Sequence, residues 1–149
     1  SMPRQGSKFD GLKAALEALQ GLNESRREQI LSEISKKDPA LGKKLKEGIF
    51  EFHDLQYILK SDFQTLWWEV PREKWRLALR KTQPGVLIMV EKFLSKRAFQ
   101  EFKNDMDQKG AQPLRQVIQA QKEILDTARS LAAEGRIALP NKKKNDPLV

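Results

Sequence analysis

Apolar residues recur every three or four positions along most of this chain, which is the period of an α-helix. No stretch of the sequence alternates with the two-residue period that a half-buried strand requires. Proline, glycine and helix-capping residues interrupt the helical pattern at short intervals. The sequence therefore predicts an all-α fold built from short amphipathic helices.

The composition limits the function classes that fit. A chain of 149 residues with 39% hydrophobic and 32% charged residues can bury a core in one domain or two small ones. It has no apolar run near the ~18 residues needed to span a membrane and no signal-peptide pattern. It also has no cysteine, which excludes disulfides and thiolate chemistry. We expect a cytoplasmic protein.

The net charge of +8 is concentrated at the ends of the chain. We expect residues 1–8 to be a tag remnant or disordered and residues 139–149 to be a disordered basic tail. Each end carries two net positive charges, which leaves four for the middle. This weakens the case for a nucleic-acid binder, which would use the tail and the following lysines. They are Lys36, Lys37, Lys43, Lys44 and Lys46.

Residues 9–50 predict a small module of three helices. The first covers residues 9–22, a capping-box pattern at Ser25 opens the second, and Asp38 followed by Pro39 opens the third. Three short helices cannot bury their apolar faces alone, so we expect an apolar layer that packs on a neighbouring module or a partner chain. The residues expected in that layer are Leu12, Leu16, Leu19, Ile30 and Leu45.

The segment after Gly48 has two possible interpretations. Gly48 weakens the end of the third helix, and Ile49, Phe50 and Phe52 follow it. These residues form either a plain connector with two core phenylalanines or a hinge between two helical modules.

Residues 51–138 predict six further helices. The first two cover residues 52–59 and 62–69, with a capping-box pattern at Ser61, and the third begins at Pro71. Residues 86–94 are almost wholly apolar and predict the central buried helix. The last two cover residues 95–109 and the stretch from Pro113 to Gly135.

The helix predicted over residues 95–109 carries charges along one side. Ser95 is a suitable N-cap and Gly110 a suitable C-terminal residue. The side expected to be buried consists of Ala98, Phe99, Phe102 and Met106. The opposite side consists of Arg97, Glu101, Asn104 and Gln108. Periodicity alone favours an ordinary solvated face.

Few residues of the types used in catalysis occur. His53 is the only histidine, which leaves no basis for a histidine triad or a multi-histidine metal site. Asp105 and Asp107 lie about 200° apart on a helix and cannot share a substrate. The sequence therefore predicts no catalytic residue, no metal, no cofactor and no small-molecule substrate, and favours an interaction protein over an enzyme.

The three tryptophans divide into two groups. Trp67 and Trp75 occupy inward helical positions, which favours core packing over stacking on bases. Trp68 lies off the inward side and could serve as an exposed anchor for a partner protein.

Several segments, in order, resemble the FliG family of bacterial flagellar motor switch proteins. Residues 49–55, IFEFHDL, are similar to the family's Met-Phe-x-Phe hinge and the leucine that follows it. Residues 94–98, LSKRA, are similar to its Met-Ser-x-Arg-Ala. The other similar segments are residues 11–22, 66–70, 77–80, 119–124 and 134–137.

The resemblance implies an armadillo-like helical repeat at residues 9–50, joined by a hinge (Ile49, Phe50, Phe52) to a six-helix C-terminal domain at residues 51–138. It also implies a rotor component at the cytoplasmic face of the inner membrane, in the flagellar basal body. The implied partners are the cytoplasmic loop of the stator protein MotA, the switch proteins FliM and FliN, and neighbouring FliG copies in a ring. The implied role is torque generation and switching in motility and chemotaxis.

The family meets the stator through charged residues, and the resemblance places this charged ridge at Arg80, Arg97, Asn104, Asp105 and Arg115. Asn104 stands where the family has an acid. Pro113 stands where it has its last basic residue, with Arg115 two positions on. These departures leave open an alternative, a FliG-like adaptor or regulatory paralogue without torque function.

Overall fold

The computed structural model describes residues 5–139, with side chains from residue 11 onward. Helices alone form its regular structure in this range, which confirms the all-α prediction. None of the described helices combines the length and apolar character needed to cross a membrane. The elements are α1 (Gln5–Gln20), α2 (Glu24–Lys37), α3 (Pro39–Gly48), a 3₁₀ turn (Phe52–Tyr57), α4 (Lys60–Glu69), α5 (Arg72–Ala78), α6 (Pro84–Phe93), α7 (Lys96–Lys109) and α8 (Leu114–Ala133).

Tertiary contacts divide the chain into two compact units, with the boundary between Phe50 and Glu51. In unit 1, α3 packs against both α1 and α2. Its buried core is aliphatic, and half-buried aliphatic side chains pack around that core. The core residues are Leu19, Leu31, Leu45 and Ile49.

Two helix starts in unit 1 differ from prediction. α1 begins at Gln5 and so extends into the segment predicted as a tag, because no proline lies between Gln5 and Phe9 to stop the helix. α2 is capped by Asn23, whose side chain accepts a hydrogen bond from the Arg26 N–H, and not by Ser25. Asp38 caps α3 as predicted, by accepting from the Leu41 N–H at 3.1 Å. The rest of the predicted tag and almost all of the basic tail lie outside the described residues.

Unit 2 is built around stacked aromatic rings. Trp67 and Trp75 are 1% and 0% exposed, and their ring centroids lie 5.0 Å apart. Phe63 packs on both rings, at 6.3 Å from Trp67 and 5.6 Å from Trp75. This confirms the prediction that Trp67 and Trp75 are core residues.

The central helix of unit 2 is α8 and not the segment predicted. α8 packs on α4, α5 and the 3₁₀ turn, and buries Val117, Ile124 and Leu131 among others. α6 buries only Val86 and Val90 and leaves Ile88 45% exposed. The prediction that residues 86–94 form the central buried helix was wrong, because an apolar run of this length does not show that every side is covered.

The first two predicted helices of unit 2 also differ in detail. Residues 52–57 form a 3₁₀ turn, closed by reciprocal hydrogen bonds between Glu51 and Asp54. α4 begins at Lys60 without a side-chain cap, so the capping box expected at Ser61 does not form. A short apolar segment does not reveal how many turns its helix makes. Here extended backbone at Ile58 ends the 3₁₀ turn after Tyr57.

Candidate functional site

α7 has the amphipathic geometry that its sequence predicts. The Ser95 hydroxyl accepts from the Ala98 N–H at 3.1 Å, and Gly110 ends the helix with a φ of 68°. Phe102 is buried, with its ring 5.5 Å from that of Trp67. The side chains of Ala98, Phe99 and Met106 are half-buried beside it. The remaining residues of α7 face solvent in a fixed register.

Arg97 is an almost fully exposed charge of the predicted ridge. Its side chain is 91% exposed, and its Nε lies 3.2 Å from an oxygen of Glu101, one turn along the same helix. One further turn along, Asn104 accepts a hydrogen bond from Gln100 at 3.0 Å. All of these contacts stay within α7, so they do not attach the exposed face to another element.

Asp105 faces a different direction from Arg97, by about 80° around the helix axis. One of its carboxylate oxygens lies 3.3 Å from Nη2 of Arg76 on α5. The Asp105 side chain is 51% exposed, which makes this a partly solvated pair between two helices. Asp105 therefore belongs to the boundary between α5 and α7.

Arg80 is a structural residue as well as a ridge position. It is half-buried, and its Nη2 donates to the backbone carbonyl oxygen of Met106 near the C-terminal end of α7. Helix C-termini carry carbonyls without intrahelical partners and a partial negative charge, both of which an arginine satisfies. The Arg80 guanidinium is thus hydrogen-bonded to α7. Arg115 is exposed at the start of α8.

Sequence reasoning missed Arg76, which is the ion-pair partner of Asp105. A signal was present, because Arg72, Arg76 and Arg80 are spaced four residues apart and so lie on one side of α5 and the turn after it. We call these three residues the arginine stripe. Gln121 of α8 holds the end of α5 by donating to the carbonyls of Ala78 and Lys81 at 2.9 and 2.6 Å.

Most residues of the predicted apolar layer and hinge lie in, or packed against, the core of one of the two units. Leu19 and Leu45 are buried in unit 1, while Leu12, Leu16 and Ile30 are half-buried around them. Ile49 joins the core of unit 1. Phe50 and Phe52 are also buried, and the Phe52 ring lies 6.4 Å from Trp75 in unit 2.

The one place in the described residues where metal-type ligands converge is at Glu51, His53 and Asp54. Nε2 of His53 lies 3.4 Å from a carboxylate oxygen of each acid. Asp54 is buried and accepts from the Glu51 N–H at 2.8 Å. These carboxylates close the 3₁₀ turn, which gives the cluster a structural role.

Trp68 is 64% exposed, as its position off the inward side predicts. The guanidinium carbon of Arg72 lies 4.9 Å from the centre of its ring and 4.7 Å from the centre of the buried Trp67 ring. The arginine is therefore held between a buried and an exposed tryptophan by cation–π contacts.

Comparison with known proteins gives a consistent result. The family described as the FliG C-terminal domain matches residues 32–139. The flagellar motor switch protein FliG of Pseudomonas aeruginosa is 32% identical over 132 residues, which cover 89% of this chain and 39% of that protein. FliG of Vibrio cholerae is 30% identical, over 91% of this chain and 39% of its own length. The chain thus spans about two fifths of these relatives.

Solved structures agree with the sequence matches. The crystal structure of H. pylori FliG (residues 86–343) has a TM-score of 0.64 and 25% identity, covering 85% of this chain and 59% of that one. Full-length FliG from Aquifex aeolicus has a TM-score of 0.57 and 27% identity, covering 84% of this chain and 39% of that one. The matched segment, the helical fold and the sequence identity together show that this chain belongs to the FliG C-terminal domain family.

Proposed function

We propose that this chain is a rotor component of the flagellar motor switch complex, with no catalytic activity, and that its charged ridge contacts the stator. The stator surface would be the cytoplasmic loop of MotA. Membership of the FliG C-terminal domain family supports the setting, which is the cytoplasmic face of the inner membrane at the flagellar basal body. FliM, FliN and neighbouring copies would be the other partners, with the half-buried Leu12, Leu16 and Ile30 of unit 1 as the apolar contact.

The observation that carries the proposal is Arg97. It is 91% exposed, and its ion pair is with Glu101 of the same helix. Exposed charge pairs contribute about 0.2–1 kcal/mol each and are screened beyond about 8 Å at physiological ionic strength. Such a surface attracts and pushes a passing complementary surface repeatedly without holding it, and repeated transient contact is what torque transfer requires.

The decisive test is charge reversal of Arg97 in the natural gene. Arg97→Glu should leave flagella assembled but reduce the rotation speed of tethered cells. Lys92→Glu is the matched control, because Lys92 is an exposed cation on α6 and is not one of the ridge residues. Normal rotation of Arg97→Glu cells, or equal loss in both variants, would show that the ridge is not the stator contact.

A second candidate function is a FliG-like adaptor or regulatory protein without torque function. Two observations favour it: Asn104 supplies an uncharged amide in the middle of the ridge, and Trp68 exposes a large ring outside it. The adaptor role predicts normal rotation after reversal of Arg97. It also predicts that purified switch proteins are not retained on the immobilised chain.

A further inference from the structure

One member of the arginine stripe, Arg72, has neither a carboxylate nor a backbone carbonyl as its partner in the described residues. Arg76 pairs with Asp105, and Arg80 donates to the Met106 carbonyl. Within the described part of the chain, Arg72 pairs with no carboxylate, and its Nη1 is buried without a hydrogen-bond partner. Guanidinium groups present five N–H donors, so an arginine without an acceptor is an unusual feature that calls for an explanation.

The acids closest to Arg72 in sequence already pair with other cations. Glu69 lies 2.6 Å from Arg136, and Glu73 lies 3.9 Å from Lys109. Burial lowers the pKa of Arg72 from its ordinary value, and the nearby positive charge of Arg76 lowers it further. Both effects mean that the charged form of Arg72 lacks compensation where it lies, so an anion from outside would stabilise it.

Trp68 supplies the second half of the surface. An exposed tryptophan presents a large, rigid apolar area that loses little conformational freedom on binding, and tryptophan and arginine are the residues most enriched at binding hot spots. The cation–π contact with Arg72 fixes the Trp68 ring beside the guanidinium. An apolar contact and an anion contact are therefore available side by side.

We propose that Trp68 and Arg72 form an anchor for an acidic segment of a partner protein, with a carboxylate on the Arg72 guanidinium and an adjacent apolar side chain on the Trp68 ring. A protein segment fits better than nucleic acid, because Arg76 and Arg80 already have partners and leave a single guanidinium, whereas a continuous phosphate backbone is bound by several cations. The anchor uses neither Arg97 nor rotation, so it goes beyond the proposed function and can fail independently of it.

The test is a selection of phage-displayed random peptides on the whole immobilised chain, followed by fluorescence anisotropy with the best recovered peptide. Recovered sequences should place Asp or Glu beside an apolar residue. Trp68→Ala and Arg72→Gln should each weaken binding about tenfold or more, since each removes a hot-spot side chain or a charge-assisted pair. Trp68→Phe should restore part of the affinity, and Arg72→Lys should bind less well than Arg72 because lysine lacks the two-pronged fork.

Two matched controls separate the anchor from general surface effects. Leu59→Ala removes another apolar side chain of unit 2, which is 68% exposed. Lys92→Gln removes an exposed cation of α6. Both should bind the peptide as the unmodified chain does, and circular dichroism should show all variants folded.

Several results would overturn the proposal. These are recovery of no acidic sequences, unchanged binding by Arg72→Gln, or a loss in Lys92→Gln as large as in Arg72→Gln. Displacement of the peptide by a DNA duplex would identify nucleic acid as the occupant. Dimers in sedimentation that Trp68→Ala converts to monomers would identify a second copy of the chain.

Discussion

The two units of this chain reach stability by different means. Unit 1 is held by an aliphatic cluster in which Leu45 is the most deeply buried side chain, at 1% exposure. Unit 2 encloses Phe63, Trp67 and Trp75, all at 1% exposure or less. Aromatic side chains bury about 150–250 Å² each. A few rings therefore give unit 2 more buried apolar area per residue than the aliphatic side chains give unit 1. The difference gives unit 2 the deeper core and leaves half-buried apolar side chains around the core of unit 1.

The largest expected effect comes from the ring stack of unit 2. Trp75→Ala should lower the free energy of unfolding by about 3–5 kcal/mol, because it removes a fully buried ring and leaves a cavity between Phe52, Phe63 and Trp67. Urea unfolding followed by tryptophan fluorescence reports on unit 2 alone, since all three tryptophans lie there.

The matched control for that substitution is Trp68→Ala. It removes the same ring from an exposed position and should cost less than about 1 kcal/mol, the size of an exposed cation–π contact. Equal losses in the two variants would mean that the stack is not the core of unit 2.

A smaller effect is expected in unit 1. Leu45→Ala should cost about 2–3 kcal/mol, near the low end for buried leucines, because the half-buried side chains around the cluster can move into the space. Amide hydrogen exchange of α2 and α3 measures it locally. A loss as large as that of Trp75→Ala would contradict the view that unit 1 has the shallower core.

Local sequence rules predicted single helices far better than contacts between them. The predicted cap at Ser95, the predicted end at Gly110 and the inward side of α7 are confirmed, because caps and periodicity act within a few residues. The pairing of Asp105 with Arg76 joins residues far apart in sequence, and no local pattern specifies which exposed acid meets which arginine. The same limit explains α6, whose apolar composition did not reveal that Ile88 would face solvent.

The next prediction concerns the contact between the arginine stripe and α7. Arg80→Gln should lower stability by about 1–2 kcal/mol, since it removes a charged donor from the half-buried carbonyl of Met106. Arg76→Gln breaks a partly solvated pair with Asp105 and should cost about 1 kcal/mol or less. Chemical denaturation of unit 2 measures both. If Arg80→Gln leaves the stability of unit 2 unchanged, Arg80 does not stabilise the packing of α7 and has only its proposed role in the ridge.

Two glycines of unit 1 offer a test of its close packing. A Cβ on Gly48 would lie 2.8 Å from a methyl carbon of Leu16, whereas one on Gly11 would meet nothing within 4 Å. Gly48→Ala should therefore cost about 1 kcal/mol as Leu16 moves, and Gly11→Ala should gain about 0.5–1 kcal/mol as a helix-interior replacement. Thermal unfolding of both variants checks the sign, and a stabilising Gly48→Ala would show that α1 and α3 are not tightly fitted there.

The smallest expected effect on stability is at the residue with the largest proposed effect on function. Arg97→Gln breaks an exposed pair within one helix, and such pairs contribute about 0.3–0.5 kcal/mol, so the free energy of unfolding should change by no more than that. The same urea titration that detects Arg80→Gln should find Arg97→Gln almost unchanged. A clear destabilisation would mean that Arg97 holds the fold, and a loss of rotation in Arg97→Glu cells would then need no stator contact to explain it. An unchanged stability, by contrast, assigns any loss of rotation to the exposed face of α7. Arg80 then holds α7 in place, while Arg97 is available to meet a partner.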